Sequence, residues 1–229
     1  MKIVGFYLKS ILNIKRYIIL SIICISILYA RRYLFIGELI QDLLSIYKRP
    51  DDLLNGLLLF LTWSLYQFYL LIAIGNFIFI QINSYSSYSI TRFCNKKVWF
   101  SCVQATITII NLLYHTYSVV FFTFCLILIN NTLFQGNHIL ELIKLILILS
   151  ITSTLYSNIF IFYIVVIRKV SIAFLVLIAT LYAFYFIAHL YDVATLTDPS
   201  LIILLLACCV SSCLLNKHVA KTELFHFIN

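Results

Sequence analysis

The sequence predicts an all-α, polytopic membrane protein with six transmembrane helices in a single domain, residues 1–229. Hydrophobic residues make up 63% of the chain and charged residues only 10%, and the mean hydropathy is +1.06. A soluble domain is usually about 45–50% apolar and about 25% charged. This composition therefore indicates lipid as the solvent. Because the chain has 5 Gly and 2 Pro, little of it is expected to be linker.

Long runs without a charged residue predict where the helices lie, since a helix needs about 20 mostly apolar residues to cross the bilayer. The predicted spans are about 17–36, 55–82, 100–129, 141–167, 170–190 and 199–216. The first span includes Arg31 and Arg32, whose side chains are expected to snorkel toward water. At the start of the last span, Asp198 is a capping residue and Pro199 takes the first helical position.

The basic residues predict the orientation, because the cytoplasmic loops of membrane proteins carry an excess of Lys and Arg. With the amino terminus inside, eleven of the sixteen Lys and Arg residues are cytoplasmic. Seven of the eight Asp and Glu residues then fall on the outer side. We therefore expect both termini to be cytoplasmic, and the net charge of +8 to set orientation rather than to bind nucleic acid.

Residues 1–16 predict an amphipathic helix that lies in the cytoplasmic interface before the first span. Polar and small residues recur at spacings of three and four and share one helical face: Lys2, Gly5, Lys9, Asn13 and Arg16. Apolar residues occupy the other faces. The alternative is a plain basic flank that only orients the first span.

The segment between the second and third spans, residues 83–99, is polar and rich in Tyr and Ser, then basic, then aromatic. No Gly or Pro interrupts it, so a short helix is allowed. Lys96 and Lys97 suit the headgroup layer, and Trp99 suits the aromatic belt where the third span begins. The alternative is an ordinary, positively charged cytoplasmic loop.

The third span carries one polar stripe at alternating spacings of four and three: Gln104, Thr108, Asn111, His115 and Ser118. Polar groups are costly in hydrocarbon, so this face is expected to point toward protein or a water-filled cavity. It is either the wall of a translocation path or a line of hydrogen bonds between helices, each contributing about 0.6 kcal/mol. Possible partners are Thr62, Tyr66, Gln67 and Asn76 in the second span, and Ser150, Thr154, Ser157 and Asn158 in the fourth.

No catalytic or metal-binding pattern is found in the sequence. His115 and Cys125 are ten residues apart, about 15 Å along one helix, which is too far for a catalytic pair. The chain contains no H-E-x-x-H, G-x-S-x-G or phosphate-binding loop. Its seven cysteines include no C-x-x-C pair and lie mostly in apolar runs. We therefore expect no enzymatic activity, no metal site and no cofactor in this chain.

The whole layout resembles the small membrane subunits of type-2 ABC exporters, particularly those of bacteriocin and peptide export or immunity systems. These subunits have six spans, an amino-terminal interfacial helix, and a cytoplasmic coupling helix between spans two and three. The stretch Tyr88-Ser-Ile-Thr-Arg92-Phe-Cys-Asn-Lys96-Lys97-Val-Trp99 is similar to the run of Tyr, Arg, polar residues, Lys and Trp common there. In that family the connection between spans five and six often carries re-entrant helices, whereas residues 188–199 leave little room for them here.

The resemblance implies a transport subunit in a bacterial plasma membrane that moves a peptide or an amphipathic substrate outward. A separate ABC ATPase, carrying ATP and Mg, would grip the coupling helix through Tyr88, Thr91, Arg92, Asn95, Lys96 and Lys97. A second permease copy or a paralogue would complete the pathway, surrounded by membrane lipid. Two alternatives stay open: a substrate-binding membrane subunit of a solute uptake system, and a membrane immunity protein that acts alone.

Overall fold

A computed structural model describes residues 2–11, 13–31, 53–83, 96–130, 137–190 and 198–221. Within these ranges the chain forms seven α-helices and no strand: α1 Lys2–Ile11, α2 Ile14–Arg31, α3 Leu53–Asn83, α4 Lys96–Asn130, α5 Asn137–Ile167, α6 Val170–Leu190 and α7 Asp198–Lys221. The all-α prediction is therefore confirmed for this part of the protein.

Three helical segments among the described residues are long and apolar enough to cross a membrane: Leu61–Gln81 of α3, Lys97–Ile129 of α4 and Ile139–Ile167 of α5. Two shorter apolar helical segments follow, Val170–Ala183 of α6 and Leu205–Val219 of α7. The chain is thus a membrane-inserted, helical protein. The other three predicted spans, the first, fifth and sixth, stay a prediction.

Helix α5 lies at the centre of the bundle, because it packs against α3, α4, α6 and α7. Helix α4 also packs against α1, α2 and α7. The apolar side chains of Leu145, Phe160 and Ile161 on α5 are fully buried. Buried hydroxyl groups lie on the same helix, at Ser153 and Ser157. The central position of α5 therefore brings polar groups from several helices to one place.

Helices α3 and α5 approach each other closely at Gly75. A Cβ atom at this position would lie 2.8 Å from Cζ of Phe160, which is closer than such atoms pack. Phe160 is fully buried, and its ring also contacts Phe174 of α6 at a centroid distance of 5.8 Å. Because small residues let membrane helices come together, Gly75 sets the spacing of α3 and α5.

Two basic residues, Arg168 and Lys169, make the tight turn between α5 and α6. Arg168 has a φ of 61°, in the left-handed region that usually favours glycine at a helix end. Its backbone N–H donates to the carbonyl of Ile164 at 2.9 Å, which closes the last turn of α5. Helix α5 ends at Ile167 and α6 begins at Val170, as the sequence predicts.

The amino-terminal helix is shorter than the predicted helix over residues 1–16. Helix α1 ends at Ile11 and α2 already begins at Ile14. Arg16 Nη1 donates to the carbonyl of Ile11 at 2.9 Å, and the backbone N–H of Lys15 lies 3.4 Å from Asn13 Oδ1. The break is therefore capped on both sides. Arg16 binds a backbone carbonyl at the end of α1, and Asn13 binds a backbone N–H at the start of α2.

Helix α1 lies along the side of the bundle rather than across its end. The ring of Tyr7 packs edge-on against Phe77 of α3, with centroids 5.5 Å apart. Ile11 lines a cleft together with Ile110 of α4, and both Tyr7 and Ile11 are buried. The apolar face of α1 therefore finds protein partners on α3 and α4, and its predicted place in the cytoplasmic interface stays a prediction.

Candidate functional site

A buried chain of hydrogen bonds joins α3, α4 and α5 around His115. His115 Nδ1 lies 2.7 Å from the hydroxyl oxygen of Tyr66, and Nε2 lies 2.6 Å from Ser153 Oγ. Ser153 Oγ donates in turn to Gln67 Oε1 at 2.9 Å. All four side chains are almost completely buried, so one polar chain connects the three membrane-length helices.

The direction of these bonds follows from the hydroxyl group of Ser153. Because Ser153 gives its proton to Gln67, it accepts a proton from His115 Nε2. His115 Nδ1 is then the acceptor for the hydroxyl group of Tyr66. A neutral imidazole with both ring nitrogens bonded fits this site, and it is held in a single tautomer.

Asn111 lies on α4, one turn before His115, and extends the network by bonding side chains of α5. Its Nδ2 donates to Thr154 Oγ1 at 3.0 Å and lies 3.4 Å from Ser157 Oγ. Among the described residues, Asn111 Oδ1 and Gln67 Nε2 are buried without a hydrogen-bond partner. The network therefore holds one unused acceptor and one unused donor, on α4 and α3.

Tyr114 completes the contact between α3 and α4, and Ser118 lies one turn further along α4. The hydroxyl group of Tyr114 donates to the carbonyl of Tyr66 at 2.8 Å, and the two rings lie 5.1 Å apart. Ser118 Oγ donates to the carbonyl of Tyr114, within its own helix, at 2.6 Å. The interface thus combines aromatic packing with bonds that satisfy buried polar groups.

A second polar cluster holds α7 against α4 and α5. Asn158 Nδ2 donates to Ser211 Oγ at 3.1 Å and to Ser212 Oγ at 2.9 Å. Gln104 Nε2 donates to the carbonyl of Ser212 at 3.3 Å, and Asn216 Nδ2 donates to Gln104 Oε1 at 3.0 Å. Side-chain amides from three helices therefore fix the position of α7, as is common between membrane helices.

The predicted polar stripe of α4 divides among three environments. Asn111, His115 and Ser118 are fully buried, and Gln104 is half-buried against α7. Thr108 is exposed and donates to the carbonyl of Gln104 in its own helix at 3.1 Å. Hydrogen bonding between helices is confirmed for Gln104, Asn111 and His115, whereas a role of the stripe in a translocation path stays a prediction.

The partners of the stripe are partly those that the sequence suggests. Tyr66 of α3 and Thr154 and Ser157 of α5 bond α4 as expected. Asn158 instead bonds α7. The sequence did not lead us to predict Ser153 as a partner, although it lies four residues before Ser157 and so shares its helical face.

The predicted coupling residues Tyr88, Thr91, Arg92 and Asn95 lie outside the described residues. Lys96 and Lys97 form the first turn of α4, and Lys97 is exposed. Trp99, expected in the aromatic belt, has only 1% of its surface exposed because it packs inside the bundle. The two lysines predicted for coupling thus form the start of α4, directly after residues 84–95.

In the described part of the chain, no group of three His, Cys, Asp or Glu side chains is placed to hold a metal ion. The cysteines of α7, at Cys208, Cys209 and Cys213, are free thiols. No protein-family model, no curated protein and no solved structure matches this chain.

Proposed function

We propose that this chain is the transmembrane subunit of an ATP-driven ABC exporter in a bacterial plasma membrane. It has six spans and two cytoplasmic termini, and a second copy or a paralogue completes the pathway. The substrate is a peptide or another amphipathic molecule. ATP and Mg bind to a separate ATPase subunit, which grips the segment between α3 and α4.

One observation carries the proposal: α4 is a single helix that runs without interruption from the predicted coupling segment to the buried network. It begins at Lys96, directly after residues 84–95, and continues for 35 residues, about 52 Å in length. His115 lies nineteen residues along this helix. A displacement of the coupling segment would therefore reach the contacts among α3, α4 and α5 through a rigid rod.

The distribution of basic residues supports the cytoplasmic assignment of this end of the bundle. We call it the basal end, defined by Asn83 at the end of α3, Lys96 at the start of α4, and the turn at Arg168. Asn216 Nδ2 lies 3.4 Å from Ser101 Oγ, so the last turns of α7 reach the same end. Six basic residues therefore gather at the basal end, as the cytoplasmic side requires: Lys96, Lys97, Arg168, Lys169, Lys217 and Lys221.

Replacing Arg92, Lys96 and Lys97 together with Ala should abolish ATPase binding while the fold is retained. The physical reason is the loss of the positive charge that the ATPase would grip. The measurement is the vanadate-sensitive ATPase activity recovered with the tagged chain from native membranes in mild detergent. Mass spectrometry should identify the recovered partner as a protein with a phosphate-binding loop, and the triple variant should recover at least ten times less activity.

The matched control replaces Lys169 and Lys217 with Ala, since both are exposed and lie at the basal end outside the coupling segment. This control should recover as much ATPase as the unaltered chain. Equal recovery with the triple variant and the control would contradict the coupling role. A chain that is purified intact without any ATPase would favour the immunity protein that acts alone.

A further inference from the structure

The turn between α5 and α6 brings two cations to an edge of the membrane. Residues 145–167 and 170–191 carry no charged side chain, and each run is long enough to cross the bilayer, which takes about 20 residues. Arg168 and Lys169, which separate the two runs, are both exposed. Because an apolar helix leaves the turn in both directions, these cations lie at the level of the lipid headgroups.

One face of α5 is left uncovered between α6 and α7. Helix α6 packs against α5 and α3, whereas α7 packs against α5 and α4. In the part of the chain that the structure describes, α6 and α7 do not pack extensively against each other. On the uncovered face, Phe162 and Val166 lie about one turn apart and have 42% and 54% of their surfaces exposed. We call this face of α5, with the sides of α6 and α7 that border it, the α5 groove.

Contacts across the α5 groove show which side chains border it. On the α7 side, the ring of His218 lies 5.5 Å from that of Phe162. On the α6 side, Thr180 Oγ1 lies 3.0 Å from the hydroxyl oxygen of Tyr163. Val176, one turn before Thr180 on the same side of α6, is exposed. The groove is therefore mainly apolar along its length, and it ends at the turn that carries the two cations.

The carboxylates of the described residues lie far from this turn. They belong to Glu141 and Asp198. Glu141 lies 27 residues before Arg168 along α5, about 40 Å. Asp198 starts α7, 20 residues before His218, about 30 Å. Within the described residues, the end of the α5 groove at the turn therefore has a net positive charge.

We infer that the α5 groove binds an anionic phospholipid. Its phosphate is held at the α5–α6 turn by Arg168 and Lys169, and an acyl chain lies along Phe162 and Val166. The charge and polarity of the groove are complementary to this lipid, which joins an anionic headgroup to an apolar chain. Basic pockets between membrane helices bind anionic headgroups, and Arg forms charge-assisted hydrogen bonds to phosphate.

A second copy of this chain fits the α5 groove less well than a lipid. Two copies in one membrane have the same orientation, and a two-fold contact places the same surface of each copy against the other. Such a contact over this face would bring the cations of the two turns close together, where they repel each other. The lipid brings an opposite charge instead.

Native mass spectrometry of the full-length chain in mild detergent measures the binding, with phosphatidylglycerol and phosphatidylcholine as probes. The Kd for phosphatidylglycerol should be lower than that for phosphatidylcholine by about tenfold or more. Arg168→Asn combined with Lys169→Gln should remove this preference. Arg168 has a φ of 61°, which Asn tolerates better than most residues, so this variant should fold. An unchanged preference would overturn the site.

The matched control combines Lys9→Gln and Lys15→Gln. Both lysines are exposed and lie on α1 and α2, outside the α5 groove, and the control removes the same amount of charge. It should keep the preference for phosphatidylglycerol of the unaltered chain. An equal loss in the control and in the groove variant would show that the lipid follows net charge alone, and would contradict a site at the turn.

The place of the acyl chain is tested with phosphatidylglycerol that carries a diazirine in this chain, activated by light in liposomes. Mass spectrometry should find crosslinks concentrated on residues 162–166, and added phosphatidylglycerol should displace them more than phosphatidylcholine does. Crosslinks spread evenly over the exposed apolar residues would overturn a bound lipid. Covalent dimers formed through Val166→Cys by a bifunctional maleimide would assign the face to a second copy and also overturn it. No ATPase takes part, so these results and the export function stand or fall separately.

Discussion

Replacing His115 with Leu should destabilise the folded protein by about 2 kcal/mol. Leu and His have similar volumes, so the main loss is of hydrogen bonds and not of packing. The hydroxyl group of Tyr66 loses its acceptor and Ser153 Oγ loses its donor. Each buried group left without a partner costs about 1–3 kcal/mol, so the effect should exceed the average of about 0.6 kcal/mol for one hydrogen bond between membrane helices. Equilibrium unfolding by dodecyl sulfate in mixed micelles, followed by circular dichroism, measures it.

Thr108→Ala is the matched control, because Thr108 belongs to the same stripe but is exposed and bonds only its own helix. We expect it to change the free energy of unfolding by less than about 0.5 kcal/mol. Adding Tyr66→Phe to His115→Leu should recover about half of the loss, since the orphaned hydroxyl group is then removed. Equal unfolding midpoints for His115→Leu and Thr108→Ala would show that the network does not stabilise the bundle.

Replacing Gly75 with Ile should destabilise the protein by about 3 kcal/mol or more. The new Cβ would lie 2.8 Å from Cζ of Phe160, and the rest of the side chain would need further space. Phe160 has no room to retreat, because it is fully buried and packs against Phe174. Helices α3 and α5 must then separate, which also loosens the bonds around Ser153. The same unfolding titration measures the loss.

Gly5→Ile is the matched control, since no atom lies within 4 Å of a Cβ at Gly5. It should be nearly neutral, because α1 gains a better helix former without meeting a neighbour. Phe160→Leu should restore part of the stability of Gly75→Ile by making room for the added side chain. If Gly75→Ile were as stable as Gly5→Ile, close packing would not set the spacing of α3 and α5.

Local signals in the sequence predicted several helix boundaries well. The pair Arg168 and Lys169 marks the turn between α5 and α6, and α7 begins at Asp198, where a capping residue precedes a proline. Other ends were less predictable. Helix α4 begins at Lys96, before the predicted start of the span at residue 100. A run of apolar residues shows which part of a helix lies in lipid, but the helix itself can continue through charged residues.

The candidate site was predictable in part from spacing. The stripe on the third span and some of its partners, such as Tyr66 and Thr154, follow from the three- and four-residue periodicity. The exposure of Thr108 does not, because it depends on how α4 is turned between α5 and α7. The break after Ile11 was also missed, since Asn13 and Arg16 have the same spacing whether they line an amphipathic helix or cap a break.

In the proposed exporter, residues 84–95 lie in the cytosol, where an ATPase can displace α3 and α4. Cys94 lies in this segment and is a native probe for it. A membrane-impermeant maleimide should label Cys94 after the cells are permeabilised and leave it unlabelled in intact cells, with mass spectrometry separating it from the other cysteines. Labelling of Cys94 in intact cells would place the segment outside and contradict the exporter function.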